Sequence, residues 1–171
     1  MTWGRKNFQL NSATVLRDLY RLMSIVTGDA ALMAEIAGPG DPLKRLRSQF
    51  LEDELVHLLV STAVANRIHE EHMHSLRTNP DELAFTELVH ECGLLQPDVT
   101  ADDEVPLSFR EACNKIVHAD HVTAETDGDP DENSIPTTIV LRGMLGRKAW
   151  IAYLNIIEYV RASTKNFDDI L

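Results

Sequence analysis

The 171-residue chain is 44% hydrophobic and has only two cysteines, which fits one domain spanning 1–171 with its own core and excludes a disulfide-framework scaffold. Its formal charge is −11, and all of it comes from residues 81–171, where eighteen acids face seven bases; residues 1–80 hold nine of each. That balance argues against a broad nucleic-acid surface, which needs phosphate-neutralising cations, and leaves room for a small site. No stretch approaches the roughly 18 apolar residues of a membrane span and no secretory leader pattern opens the chain, so reduced thiols and a cytoplasmic setting are expected.

In chain order, Asn11 or Ser12 can cap a first helix in which Val15, Leu16, Leu19, Leu22, Met23 and Val26 recur at helical spacing and Gly28 closes the pattern. Asp29 restarts a short helix through Ile36, and Gly38-Pro39-Gly40 is a break. Asp41 then caps, with Pro42 at the first helical position, and no breaker follows from Leu43 to about Leu76. Leu51, Leu55, Leu58, Thr62, Ala65 and His69 mark one seam of this long helix. Asn79-Pro80-Asp81 opens another helix carrying Leu83, Leu88, Val89 and Cys92, closed by Gly93, and 96–106 is expected to be an acidic loop.

The stretch from Ser108 to Ala119 carries a full helix start, with Leu107 outside, Ser108 as cap and Glu111 three residues on. Phe109, Ala112, Ile116 and Val117 form its apolar stripe. Arg110, Asn114 and His118 fall at i, i+4 and i+8 and share a polar face. Asn is a poor interior helix residue, so Asn114 requires a reason to be there. Beyond it, His121–Glu125 and Thr137–Leu141 read as two strands of a hairpin joined by an acidic loop. Gly143 and Gly146 frame a turn, and a last helix is expected over about 147–163 with Trp150, Leu154, Ile157 and Val160 inward. The expected fold is mostly α: a bundle of about five helices with a small β-hairpin inserted at about 121–142, before the last helix.

The run Asn114-Lys115-Ile116-Val117-His118, followed by a small residue, resembles the signature helix of the HEPN superfamily of helical nucleotide-binding domains. The resemblance implies an all-helical, dimeric protein and, if active, a metal-independent ribonuclease of a defence or toxin–antitoxin setting, with RNA or a nucleotide as ligand and no cofactor. It also implies roles: His118 as general acid or base, Asn114 as its orienting partner, and an arginine to stabilise the phosphate. The family motif places that arginine directly before the asparagine, where this chain has Cys113. Arg110, one turn earlier, and Arg67 on the long helix are the candidate substitutes, and a homodimer would have to bring either of them to His118. The substitution also opens a second reading, a degenerate, non-catalytic protein-binding or antitoxin-like module.

A third reading is metallic. Glu54-x-x-His57, Glu71-x-x-His74 and Glu87-x-x-His90 each match half of a di-metal carboxylate motif. Two of them share one helix and the first helix has no Glu before Gly28, so no metal site is expected. Asp127, Asp129 and Asp131 begin like a calcium loop but lack its glycine and terminal glutamate.

Overall fold

The computed structural model describes residues 11–76, 90–101, 103–124 and 133–168. Among them are four helices and five strands in the order α1 (Ser12–Glu35), α2 (Pro42–Leu76), β1 (Glu91–Gln96), β2 (Val105–Ser108), α3 (Phe109–His118), β3 (His121–Thr123), β4 (Thr138–Leu145), β5 (Lys148–Asn155) and α4 (Ile156–Asp168). The strands form one antiparallel sheet in the order β2-β1-β5-β4-β3. The expected helical bundle with a small hairpin is therefore corrected: the second half of the chain is a five-stranded sheet with α3 and α4 packed against it.

The first half follows its periodicity. Asn11 caps α1 by accepting from the Thr14 amide, and Val15, Leu19, Leu22 and Val26 are buried. The helix does not stop at Gly28. It runs on to Glu35, because Asp29 continues the buried stripe and is held there by an ion pair to α2. Asp41 ties the α1–α2 connection from both sides: Oδ2 accepts from the Ala37 amide at 2.9 Å and Oδ1 from the Leu43 amide at 2.8 Å. Those two amides hold its carboxyl below the ordinary range.

Two sequence assignments in the second half are overturned. Cys92 and Gly93 lie in β1, not at a helix end. Gly93 has φ +138° at a bulge opposite β2, and a Cβ there would overlap the Tyr153 carbonyl oxygen, so only glycine fits. Residues 148–155, expected as helix, form β5, and the helix begins only at Ile156. Trp150, Ala152 and Leu154 are buried on one face of the sheet. Trp150 and Leu154 are four apart, a spacing that satisfies both the helical and the two-residue strand period, so these two positions cannot separate the alternatives. The β4–β5 turn is Gly146-Arg147, with Gly146 at φ +63°. Gly143 lies within β4 opposite Trp150, where a side chain would collide with the indole ring. The β3–β4 hairpin expected from the sequence is present, although β3 is shorter. The helix expected over 81–89 and the acids of 127–132 lie outside the described residues.

The core joins both halves. Leu19, Leu22, Leu58 and Leu59 from the helical hairpin meet Leu107, Phe109, Ile116, Ile139, Leu141, Trp150, Leu154, Ile156 and Tyr159. Between α2 and α4 runs a buried polar seam. Thr62 Oγ1 and the Tyr159 hydroxyl are 2.9 Å apart, Asn66 Nδ2 donates to Ser163 Oγ, and Asn166 Nδ2 donates to Asn66 Oδ1. Burial pushes the Tyr159 hydroxyl well above its ordinary value. Such a satisfied network fixes the register of the two helices. None of the described helices is long and apolar enough to cross a membrane.

Candidate functional site

Helix α3 is positioned by its cap and its apolar stripe. Ser108 Oγ accepts from the Glu111 amide, the Phe109 amide donates to the His90 carbonyl, and Phe109, Ala112, Cys113 and Ile116 are buried. Its C-terminal end lies over the sheet, with the His118 carbonyl against Gly143 and the Asp120 amide donating to the Arg142 carbonyl. Lys115 Nζ sits 4.6 Å from the centre of a Trp150 ring. Ile116 in the core and Lys115 over an indole give these two residues of the Asn-Lys-Ile-Val-His run a structural explanation.

Among the described residues, no hydrogen bond or ion pair joins the predicted site residues to one another. Asn114 Nδ2 donates to Glu111 Oε1 at 3.1 Å within its own helix, which answers why an asparagine is tolerated there. Glu111 also lies 3.9 Å from Lys115 Nζ. His118 is exposed at the other end of α3 from Arg110 and has no side-chain hydrogen bond or ion pair among the described residues. Arg110 turns to α2, where its Nε is 3.6 Å from Glu70 Oε1. Arg67 pairs with Glu71 one turn along α2, at 3.7 Å. Eight helical steps of ~1.5 Å separate Arg110 from His118 by about 12 Å, so one chain does not put both on one phosphate.

Cys113 is buried beneath this face. Burial is the largest influence pushing its thiol far above the ordinary range, with Cys92 and Glu70 adding to it and Arg67 opposing. Cys92 is pushed up to about 12, chiefly by burial and then by Glu158. Neither thiol is a nucleophile at neutral pH.

Sequence reasoning missed two features. The first is a buried ion pair. Arg47 Nε and Nη2 bond Asp29 Oδ1 and Oδ2 at 2.7 and 2.8 Å; Nη2 also donates to the Asn133 carbonyl, and Oδ2 accepts from the Ile135 amide. Burial raises the Asp29 carboxyl, but the Arg47 and Ile135 hydrogen bonds outweigh it and hold the group below its ordinary value. A signal existed. Asp29 follows Val26 on the α1 stripe and Arg47 precedes Leu51 and Leu55 on the α2 seam, so opposite charges occupy core positions on consecutive helices. The second is a cavity of about 300 Å³ between α2 and the β3–β4 edge, whose apolar lining includes Leu51, Leu55, Val56, Val122, Ile135 and Ile139.

No three or more His, Cys, Asp or Glu side chains cluster to hold a metal among the described residues. Glu54 instead pairs with Arg21 of α1, and His69 stacks near Phe167, 4.8 Å between ring centres. Comparison with known proteins gives no counterpart: no family model, curated protein or solved structure matches the chain.

Proposed function

We propose that this protein is a non-catalytic binding module for another protein, in which the HEPN-like helix serves as structure. The observation that carries this reading is the fate of the two candidate arginines: Arg110 and Arg67 each face a carboxylate of α2, at 3.6 and 3.7 Å, instead of converging on His118. A phosphate bound at His118 needs a cation beside it. The charge of −11 works in the same direction. The cleft between α2 and the β3–β4 edge offers a protein partner what a surface of this charge does not offer RNA: an apolar lining.

One observation favours a second reading, a ribonuclease completed across a dimer, because His118 is exposed and unbonded among the described residues. Fluorescence anisotropy with a labelled single-stranded RNA at physiological salt separates them. The binding-module reading predicts no saturable binding at micromolar protein. Sub-micromolar binding that is weakened about tenfold or more by Arg67→Ala or Arg110→Ala would overturn it.

A further inference from the structure

Among the described residues, the longest helix carries an exposed apolar line. On α2, Leu46, Phe50, Val60 and Val64 are all exposed, Leu46 and Phe50 by more than half. Asp53 and His57 are exposed between them and have no hydrogen-bond or ion-pair partner among the described residues. The six positions 46, 50, 53, 57, 60 and 64 advance by four and three residues in alternation, the spacing of a two-helix seam. The opposite side of the same helix already buries Leu55, Leu58, Leu59 and Ala63 in the core. Among the described residues the outer line is not part of the buried core, and exposed apolar surface of this kind marks an interface.

The order of residues along the line identifies what covers it. Read from its centre at position 55, the line is a palindrome: Asp53 balances His57, Phe50 balances Val60 and Leu46 balances Val64. Two copies laid antiparallel about a two-fold axis at that centre therefore put apolar side chains opposite apolar ones. They also set the Asp53 carboxylate of each copy opposite the His57 imidazole of the other, a hydrogen-bonding pair made twice. Parallel pairing would set Asp53 against Asp53, which is repulsive.

We infer that the outer face of α2 is a self-association surface, and that its occupant is a second copy of this chain in an antiparallel, two-fold arrangement centred on position 55. This inference rests on the α2 line alone and is independent of how α3 is read. It puts the dimer seam on residues 46–64, away from Asn114 and His118.

The test uses the full chain. Sedimentation equilibrium is expected to give a dimer for the wild type and a monomer for Phe50→Glu, with dissociation at least about 100-fold easier and an unchanged far-ultraviolet circular dichroism spectrum. Val64→Lys, at the other end of the line, is expected to do the same and decides the matter if Phe50→Glu fails to fold. Orientation is read by disulfide trapping, for which the native thiols of Cys92 and Cys113 are buried. A mixture of Leu46→Cys and Val64→Cys proteins is expected to cross-link as a heterodimer. Leu46→Cys alone is not, since two copies of position 46 stand about 27 Å apart, eighteen steps of ~1.5 Å. A monomeric wild type, a dimer that survives both charged variants, or efficient cross-linking of Leu46→Cys with itself would each overturn the inference.

Discussion

The two ends of α2 each carry an acid–arginine pair with a buried acid, and the pairs differ in the exposure of the arginine and in their bonding. Near the start, Arg47 and Asp29 have side chains 4% and 1% exposed and meet through two bonds of 2.7 and 2.8 Å, with backbone groups completing both partners. Near the end, Glu70 is equally buried, but Arg110 is 52% exposed, its Nε stands 3.6 Å away, and Glu70 Oε1 accepts no hydrogen bond among the described residues. The first pair is enclosed and bidentate; the second is one-sided and open to water, where screening removes most of the attraction. The arginine that the sequence brings forward as chemistry is thus the loosely held one, and Arg47, which the sequence reading does not single out, is part of the core.

The largest effect expected from breaking this contrast is at Arg47. Arg47→Ala leaves the Asp29 carboxylate buried without its partner and is expected to cost about 3–5 kcal/mol in urea denaturation. Replacing both, Asp29→Leu with Arg47→Met, should recover most of that loss, because a buried pair is worth little against apolar side chains of similar volume; the Ile135 amide and Asn133 carbonyl, left without partners, keep the recovery incomplete. The pair also has a pH signature. The folded Asp29 carboxyl lies below its unfolded value of about 3.9, so its contribution is present above that pH and is lost as the pH falls through the folded value. The stability gap between wild type and Asp29→Asn should therefore be full at pH 7 and shrink below about pH 4.

The smaller effect is at Arg110. Arg110→Ala is expected to change stability by less than about 1 kcal/mol in the same experiment, and the change should fall further in high salt. A loss approaching that of Arg47→Ala would show that Glu70 and Arg110 form an enclosed pair and would erase the distinction between the two ends.

The same contrast describes what could be read from the chain. Helices α1 and α2 were legible because one buried face imposes a periodic pattern over many turns, and caps such as Asn11 and Asp41 bond the backbone directly. Gly28 misled because a tertiary ion pair at Asp29 outweighs a local breaker. Helix α3 was legible from Ser108 and its stripe. The sheet was legible only at β3–β4. In β1, a glycine that resembles a helix stop is instead a bulge forced by close approach to Tyr153. In β5, buried residues spaced four apart suit either period. The site failed for a related reason. Spacing places Arg110, Asn114 and His118 on one face, but it does not say what each side chain engages: Arg110 faces Glu70 of α2, and Asn114 bonds Glu111 of its own helix.

The central claim, that the polar face of α3 is structural and not a catalytic centre, is tested most directly by RNA cleavage under single-turnover conditions. Wild type, His118→Ala and Arg110→Ala would each be incubated in excess over structured and unstructured RNA in EDTA. The account predicts three time courses that coincide with the protein-free background. Fast cleavage by the wild type that disappears in His118→Ala would contradict it and establish the ribonuclease.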